Sequence, residues 1–157
     1  MDCKLNSARI DLHIHSSASD GTLSPSEIVD RALSLNLKAI AITDHDTVNG
    51  LRQIQADLPQ ELAFLNGVEI STSAPKTCRH QGSLHILGYG FNMEAAELNR
   101  HLTILQDVRK NRNPQIIAKL NELGFPMQLE EIEAPEDGQV GRPHIARHMI
   151  KKGYVST

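Results

Sequence analysis

The sequence predicts an α/β domain built on a parallel β-sheet. Through the first half of the chain, short apolar segments with strand character alternate with segments whose apolar residues recur at helical spacing. Residues 38–43 (KAIAIT) are apolar on both faces, which is typical of a buried parallel strand. A chain of 157 residues suits one domain or part of a larger one, so we expect a single domain across residues 1–157.

The first strand and the first helix have the clearest local signals. Residues 9–15 (RIDLHIH) alternate apolar and polar side chains, which is the period of a β-strand. Ser24 opens the following helix, because Pro25 suits its first position and Glu27 completes a capping box with Ser24. Apolar residues on one face predict that this helix continues to about Leu35.

Three more strands and one more helix follow. We predict the strands at residues 38–43, 63–71 and 83–90. Between the first two of these, Val48, Leu51 and Ile54 stand at helical spacing and predict a helix that ends before Pro59. Residues 72–82 are polar, and we therefore predict a loop there.

The chain from about residue 94 to residue 153 is predicted to be helical. We expect two consecutive helices at residues 94–112 and 115–123, and a third at 141–150 that Gly-Arg-Pro opens. The basic run at residues 109–112 (RKNR) is typical of side chains that complement the dipole of a helix end and face solvent.

The composition favours a globular protein over a nucleic-acid platform or a membrane protein. The net charge is -3, from 16 basic and 19 acidic residues, which argues against a strongly basic nucleic-acid surface. No apolar run approaches the ~18 residues of a membrane span, and the N-terminus has no apolar signal segment. Cys3 and Cys78 lie far apart, so we expect no disulfide framework and a cytoplasmic protein.

Histidines and carboxylates gather near the ends of the predicted strands. His13 and His15 are two residues apart in a strand and point the same way, although two solvated histidines on a surface strand would show the same pattern. The other candidates are His45 after the second strand, Asp20 in the loop after the first, Glu69 near the end of the third and His85 within the fourth. Because the carboxyl ends of parallel strands meet at one edge of a sheet, we expect these side chains to meet there.

This set of side chains predicts a centre with more than one metal ion. Imidazole and carboxylate together suit Zn, Mn or Fe rather than Ca. A mixed His, Asp and Glu set of this size usually holds more than one ion with a carboxylate as the bridge, as in two-metal phosphoesterases. The pattern therefore favours a metal centre over a chance gathering of solvated side chains.

Four short motifs together resemble the PHP (polymerase and histidinol phosphatase) family. They are HIH with a following Asp at residues 13–20, TDHD at 43–46, GVEIS at 67–71 and HILG at 85–88. The resemblance extends from about residue 10 to residue 155. It points in particular to a branch of small bacterial phosphoesterases that act on nucleotides and oligonucleotides, among them nucleoside bisphosphate phosphatases and a 5'-to-3' exoribonuclease.

The resemblance implies a distorted (β/α)7 barrel with two or three divalent metal ions at its C-terminal mouth. We expect only the N-terminal part of such a barrel, because the late family motifs, a histidine and a final Asp-x-His pair, have no match in the chain. The implied metal ligands are His13, His15, Asp20, His45, the bridging Glu69, and His85, with His80 as the alternative to His85. The implied ions are Mn, Fe or Zn, with Mg as a further candidate.

The resemblance also implies roles for residues beside the ligands. Arg142 and His144 would open a helix next to the site and bind the substrate phosphate, and His144 would protonate the leaving oxygen, while Glu69 holds the ions at a fixed distance. A solvated Arg142 that only follows a helix cap is the alternative, and Arg147 and His148 further along could simply face solvent. The resemblance places Asp44 and Asp46 next to a ligand.

Two roles remain open for the aspartates that flank His45. Asp44 and Asp46 would hydrogen-bond to a metal-bound histidine from outside the ligand set. Asp46 would equally well cap the helix that follows.

The predicted function is hydrolysis of a small phosphorylated substrate, a nucleotide or a short RNA, with no membrane partner. One alternative is an enzyme that resembles histidinol phosphatase, and another is an accessory module of a DNA polymerase. A third alternative is an incomplete metal-binding fragment that needs a partner chain or a missing C-terminal part.

Overall fold

The structure, a computed structural model, describes residues 9–56, 58–75, 77, 83–134 and 140–156. The alternative ligand His80 lies outside these residues, as do Cys3 and Cys78, on which the disulfide prediction rests.

Four strands form one curled mixed sheet, about half of a barrel, in the order β1-β2-β3-β4. The strands are β1 (Arg9–Ile14), β2 (Leu37–Ile42), β3 (Ala63–Ser73) and β4 (Ser83–Tyr89). β1 pairs with β2 and β2 pairs with β3 in parallel, as predicted. The α/β fold class is confirmed.

The fourth strand runs in the opposite direction to the prediction. β4 pairs antiparallel with β3, so that His85 lies opposite Ser71 and Leu87 lies opposite Glu69. A parallel return needs a crossover of about a dozen residues or more, usually a helix, and residues 74–82 are too few. His85 therefore reaches the edge of the sheet from the first half of its strand, not from the carboxyl end.

Four α-helices and one short 3-10 helix accompany the sheet in the described residues. They are α1 (Pro25–Ser34), α2 (Asn49–Ile54), α3 (Ala96–Glu122), the 3-10 turn (Leu129–Glu131) and α4 (Arg142–Lys151). The predicted capping box is present in α1, because the Glu27 N–H donates to Ser24 Oγ at 3.3 Å and the Ser24 N–H donates to Glu27 Oε2 at 2.8 Å. None of the described helices combines the length and the apolar character that crossing a membrane requires.

α3 is one continuous helix, where the sequence predicts two. Pro114 lies inside it, although an interior proline costs a helix about 3 kcal/mol. Tertiary contacts on both sides of the proline offset this cost, since Leu102 packs in one core and Ile117 in another. The side chain of Asn113 also donates to the carbonyl oxygen of Val140 at 2.7 Å, which ties the middle of α3 to the segment before α4.

The two cores lie at different ends of this long helix. The first lies between the sheet and α1, α2 and the start of α3, and Ile40 and Ile42 of β2 are fully buried in it. The second is smaller and contains Ile117, Met127, Ile132 and Ile145. α3 contributes to both cores, and it therefore joins α4 to the sheet that carries the predicted ligands.

Candidate metal centre

Glu69 lies at the centre of the predicted ligands. Its side chain is buried on β3, and Oε2 lies 2.8 Å from Nε2 of His13 and 2.9 Å from Nε2 of His15. The two histidines reach the same oxygen because residues two apart in a strand share a face. The other carboxylate oxygen, Oε1, lies 2.5 Å from Nδ1 of His85 on β4.

His45 reaches the same carboxylate from the end of β2. The backbone of residues 44–46 continues the pairing with β3, because the Asp46 N–H donates to the Glu69 carbonyl at 3.0 Å and the Glu69 N–H donates to the Asp44 carbonyl at 3.2 Å. This register places Nδ1 of His45 3.8 Å from Oε2 of Glu69. Parallel pairing beyond the last regular residue of β2 therefore sets the position of the His45 side chain.

Asp20 completes the cluster from the loop after β1. Its Oδ1 lies 3.2 Å from Nδ1 of His15, and its Oδ2 lies 3.5 Å from Nε2 of His45. The loop folds back tightly over the end of β1, and a Cβ at Gly21 would lie 2.0 Å from the His15 carbonyl oxygen. Only glycine fits at this position, and this close approach turns the Asp20 side chain toward the histidines.

The six predicted ligands of the described residues therefore meet at one place. They form three overlapping triads in which the ligand atoms lie within 4.8 Å of one another. The triads are His13-His15-Glu69, His15-Asp20-His45 and His45-Glu69-His85. Because Glu69 belongs to two triads, it has the position of a carboxylate that bridges two ions.

The chemistry of this cluster fits divalent cations. Imidazole nitrogens and carboxylate oxygens are the ligands that Zn, Mn and Fe share. Nδ1 of His45 is buried and has no hydrogen-bond partner within the described part of the chain. A buried nitrogen without a partner is costly, and a metal ion would satisfy it.

The pKa values of both carboxylates lie below their usual range. The hydrogen bond from His15 lowers the pKa of Asp20 to about 2, and it outweighs the opposing effect of burial. Burial raises the pKa of Glu69, but the hydrogen bonds from His13 and His85 lower the pKa by more than burial raises it, so the net change is downward. Both groups are therefore anions at neutral pH, the form in which they bind metal.

The two central histidines shift in opposite directions. Burial lowers the pKa of His15, but its hydrogen bond with Asp20 and the charges of Asp20 and Glu69 outweigh burial and raise the pKa overall. Burial lowers the pKa of His45 and prevails over the same two carboxylates. A neutral His45 ring is ready to donate a lone pair to a metal ion.

Asp44 does not have its predicted role. Among the described residues its hydrogen bonds go to no histidine. Oδ1 accepts from the Ser16 N–H and from Ser19 Oγ, each at 2.7 Å, and Oδ2 accepts from Ser16 Oγ at 2.6 Å. The buried carboxylate therefore holds the loop that carries Asp20, because both serines precede Asp20 in that loop.

Asp46 has neither of its predicted roles. α2 starts after Val48 without a side-chain cap, and the fully buried carboxylate of Asp46 accepts from the Ser71 N–H at 2.7 Å and from Nε of Arg109 at 2.6 Å. Arg109 also donates to Ser71 Oγ at 2.7 Å. The sequence predicts that Arg109 belongs to a solvent-facing basic run, whereas the structure places it in mid-helix against the site. A solvated basic run and a buried ion pair have the same appearance in a sequence, because the partner of the pair is distant along the chain.

The segment that opens α4 lies beside the cluster. His144 is buried, and its Nδ1 accepts a hydrogen bond from the Gly141 N–H at 3.0 Å, while Arg142 is exposed in the first turn. A Cβ at Gly141 would lie 3.7 Å from His144 Nδ1 and 4.0 Å from the Cβ of Asp20, so this glycine lies between the two side chains. Burial and then the charge of Arg147 lower the pKa of His144, which favours the neutral ring.

The family model described as "PHP domain" matches residues 11–152. One curated relative is named a 3',5'-nucleoside bisphosphate phosphatase, from Chromobacterium violaceum, and is 37% identical over 94% of this chain and 51% of the relative. Another is named a 5'-3' exoribonuclease, from Haemophilus influenzae, and is 34% identical over 94% of this chain and 53% of the relative. The chain thus spans about half the length of the curated relatives it matches.

Two solved structures share the fold. An amidohydrolase from Chromobacterium violaceum, with bound sulfate and no metal, superposes with a TM-score of 0.81 at 36% identity over 95% of this chain and 52% of that one. A protein from Bifidobacterium adolescentis assigned as a metal-dependent phosphoesterase also has a TM-score of 0.81, at 27% identity over 94% and 51%. With the motifs and the geometry of the cluster, these likenesses show that the chain belongs to the PHP domain family.

Proposed function

We propose that the protein is a metal-dependent phosphoesterase that hydrolyses phosphate esters of nucleotides or short oligonucleotides. The observation that carries the proposal is the three overlapping triads, two of which share Glu69. They suit a centre of two or three divalent ions. Mn, Fe or Zn fits this ligand set best, with Mg as a further candidate. The relatives named as a nucleoside bisphosphate phosphatase and an exoribonuclease support the same reaction class.

The ions would supply the nucleophile and part of the charge stabilisation. When bound at such a centre, divalent ions polarise a phosphate ester and bring the pKa of a coordinated water close to 7. The ligands that would hold them are His13, His15, Asp20, His45, Glu69 and His85. Glu69 would keep two ions at a fixed distance, because its oxygens face ligands of two triads.

The residues at the start of α4 would bind the phosphate and donate a proton. Arg142 presents a guanidinium beside the helix N-terminus, where free N–H groups also favour an anion. His144 accepts the Gly141 N–H at Nδ1, so its neutral ring carries the proton on Nε2. That proton would go to the leaving oxygen as the ester bond breaks.

Metal analysis combined with a substrate panel tests this proposal. The purified protein should contain Mn, Fe or Zn, and it should release phosphate from a nucleoside 3',5'-bisphosphate or degrade a short 5'-phosphorylated RNA. Histidinol phosphate belongs to the same panel, and its preferred hydrolysis would indicate the alternative, an enzyme that resembles histidinol phosphatase. A protein that binds none of these metals and hydrolyses no substrate after they are added contradicts the proposal.

The second candidate is a metal-binding portion that is catalytic only with a further segment or a partner chain. The sheet favours it, because the edge strands β1 and β4 expose Ile10 at 57% and Ile86 at 55%. The same assays on these 157 residues and on a longer version of the chain separate the two. Equal specific activity of the two versions contradicts the second candidate.

A further inference from the structure

Tyr89 joins the two edges of the sheet. It is the last residue of β4, and its hydroxyl donates to the carbonyl oxygen of Leu12 on β1 at 2.7 Å. β1 and β4 are the first and the last strand of the sheet, with two strands between them. Neighbouring strands lie about 4.8 Å apart, so a flat sheet would hold these edges about 14 Å apart, farther than a tyrosine side chain reaches. The hydrogen bond therefore forms only because the sheet is curled, and it ties the curled edges together.

Small residues leave room for this side chain on the inner face of the sheet. Tyr89 lies opposite Gly67 in the antiparallel ladder, so both belong to one face. A Cβ at Gly67 would lie 3.4 Å from the Cβ of Ala41, which places Ala41 of β2 on the same face. At this level the two middle strands thus carry a glycine and an alanine, and the Tyr89 ring can extend from β4 toward β1.

The carbonyl that Tyr89 binds lies at an irregularity of β1. The register of β1 against β2 shifts between Asp11 and Ile14, where three steps along β1 match two along β2. The additional residue falls at Leu12 or His13. Irregularities of this kind interrupt the regular pairing and turn a side chain in a new direction.

The peptide group before His13 is fixed at both of its polar atoms. Its carbonyl oxygen, that of Leu12, accepts from the Tyr89 hydroxyl, and its N–H, that of His13, donates to Oδ1 of Asp11 at 3.2 Å. Because a peptide group is planar, two such bonds restrict the orientation of the whole plane. The direction in which the His13 side chain leaves the backbone follows from that plane.

His13 depends on such an anchor more than the other histidines of the cluster. Its side chain is 51% exposed, whereas those of the other three are between 14% and 28% exposed. Packing therefore restrains this imidazole least, although its Nε2 lies 2.8 Å from Oε2 of Glu69. The backbone supplies the restraint that packing does not.

We propose that Tyr89 and Asp11 are positioning residues, which hold the His13 imidazole against Glu69 by fixing the peptide group before His13. The inference rests on the proposed function in one respect, since it takes His13 as a metal ligand. Both residues act through the backbone. Their loss should therefore displace the His13 ring and weaken metal binding without removing a ligand.

The histidine ring signals in nuclear magnetic resonance spectra test this positioning without any metal. The spectra are recorded on chelator-treated protein at a fixed alkaline pH, and His13→Gln assigns the His13 signals. Tyr89→Phe removes only the hydroxyl, and we expect it to shift the His13 signals. The signals of His101, which is 63% exposed on α3, should not move and serve as the internal reference.

The second tyrosine of the chain offers a matched control. Tyr154 also donates through its hydroxyl to a backbone carbonyl, that of Pro126 at 2.6 Å, but it packs against the second core. Tyr154→Phe should leave the His13 signals unchanged. His13 signals that do not move in Tyr89→Phe, or that move equally in both tyrosine variants, overturn the inference.

Asp11 allows a test by conservative replacement. Asp11→Ala removes the acceptor of the His13 N–H and should shift the same signals as Tyr89→Phe. Asp11→Asn keeps an oxygen acceptor, and it should leave the His13 signals where they are in the unaltered protein. If Asp11→Asn shifts them as far as Asp11→Ala does, the charge of Asp11 is responsible and its positioning role is refuted.

Metal titration of the tyrosine variants connects the positioning to the metal centre. In competition with a chromophoric chelator, Tyr89→Phe should bind Mn or Zn about tenfold more weakly than Tyr154→Phe, at the lower end of the range typical of groups that support a ligand. Equal metal affinity in the two variants overturns the inference. An unaltered protein that binds no metal overturns the proposed function instead, and the ring signals then decide the inference by themselves.

Discussion

The carboxylate of Glu69 has four imidazoles around it, and they come from three other segments of the chain. His13 and His15 approach one oxygen, His85 approaches the other, and His45 lies 3.8 Å away. Metal ions would stabilise this arrangement of one buried carboxylate and four imidazoles, because each ion would be coordinated by several of the nitrogen and oxygen atoms.

Glu69→Gln removes the charge of this carboxylate and keeps its shape. We expect the variant to lose at least one metal ion per chain, because the amide is a poorer ligand and cannot bridge two ions. Activity should fall more than about 100-fold, beyond the 10–100-fold typical of groups that only support a ligand. Elemental analysis and initial rates measure both effects, with the exposed Glu61→Gln as the control. Unchanged metal content would refute the bridging role.

Arg109 is a second residue whose effect can be isolated. It forms a buried ion pair with Asp46, which directly follows the predicted ligand His45. Arg109→Gln leaves a buried carboxylate without its partner, so we expect a loss of about 3–5 kcal/mol in the free energy of unfolding. We also expect metal affinity to fall about 10–100-fold. The Asp46 carboxylate ties the backbone that follows the predicted ligand His45 to Ser71, which lies two residues after Glu69.

The matched control lies on the same helix. Arg100 forms an exposed pair with Glu97, and Arg100→Gln should cost no more than about 1 kcal/mol. Denaturant unfolding and metal titration of both variants measure the difference. Equal losses in the two variants would show that the Asp46 pair has no special role.

At the scale of elements, local signals explain α1 well. Ser24 caps the helix, and its reciprocal bonds with Glu27 satisfy N–H groups that a helix start otherwise leaves free. Ser24→Ala should therefore lower the free energy of unfolding by about 1 kcal/mol. Ser34→Ala, at the other end of the same helix, should have a smaller effect because, in the described part of the chain, Ser34 Oγ bonds only to the Arg31 carbonyl. Denaturant unfolding compares them, and equal losses would contradict the cap.

α3 shows the opposite case, in which local signals mislead. Pro114 predicts a break, and the proline does remove one backbone hydrogen bond. The helix continues because its two halves pack into different cores, and because Asn113 is anchored to Val140. The energy that overrides the proline comes from residues outside any local window.

For the whole molecule, metal and fold should depend on each other. The predicted ligands come from the end of β1, its loop, the end of β2, and β3 and β4, so bound ions would join all four strands. Removing the metal with a chelator should lower the melting temperature, because an ion that binds only the folded state stabilises it by about 4 kcal/mol at a thousandfold excess over its Kd.

Calorimetry or circular dichroism during heating measures this shift. Adding Mn or Zn back should restore the melting temperature in a concentration-dependent way, and Glu69→Gln should respond less than the unaltered protein. A melting temperature that is independent of metal would show that metal binding at the cluster does not stabilise the fold.

Residue patterns along the chain were enough to predict the features that depend on neighbours in sequence. The period of two predicted that His13 and His15 share a face, the capping box located the start of α1, and the polar motifs near the strands predicted the six side chains that meet in the cluster. Four features emerge only from the folded chain: the antiparallel direction of β4, the pair between Arg109 and Asp46, the continuity of α3 through Pro114 and the burial of His148. These features arise where segments that are distant in sequence pack together. Such packing leaves no periodicity or spacing in the sequence from which it could be predicted.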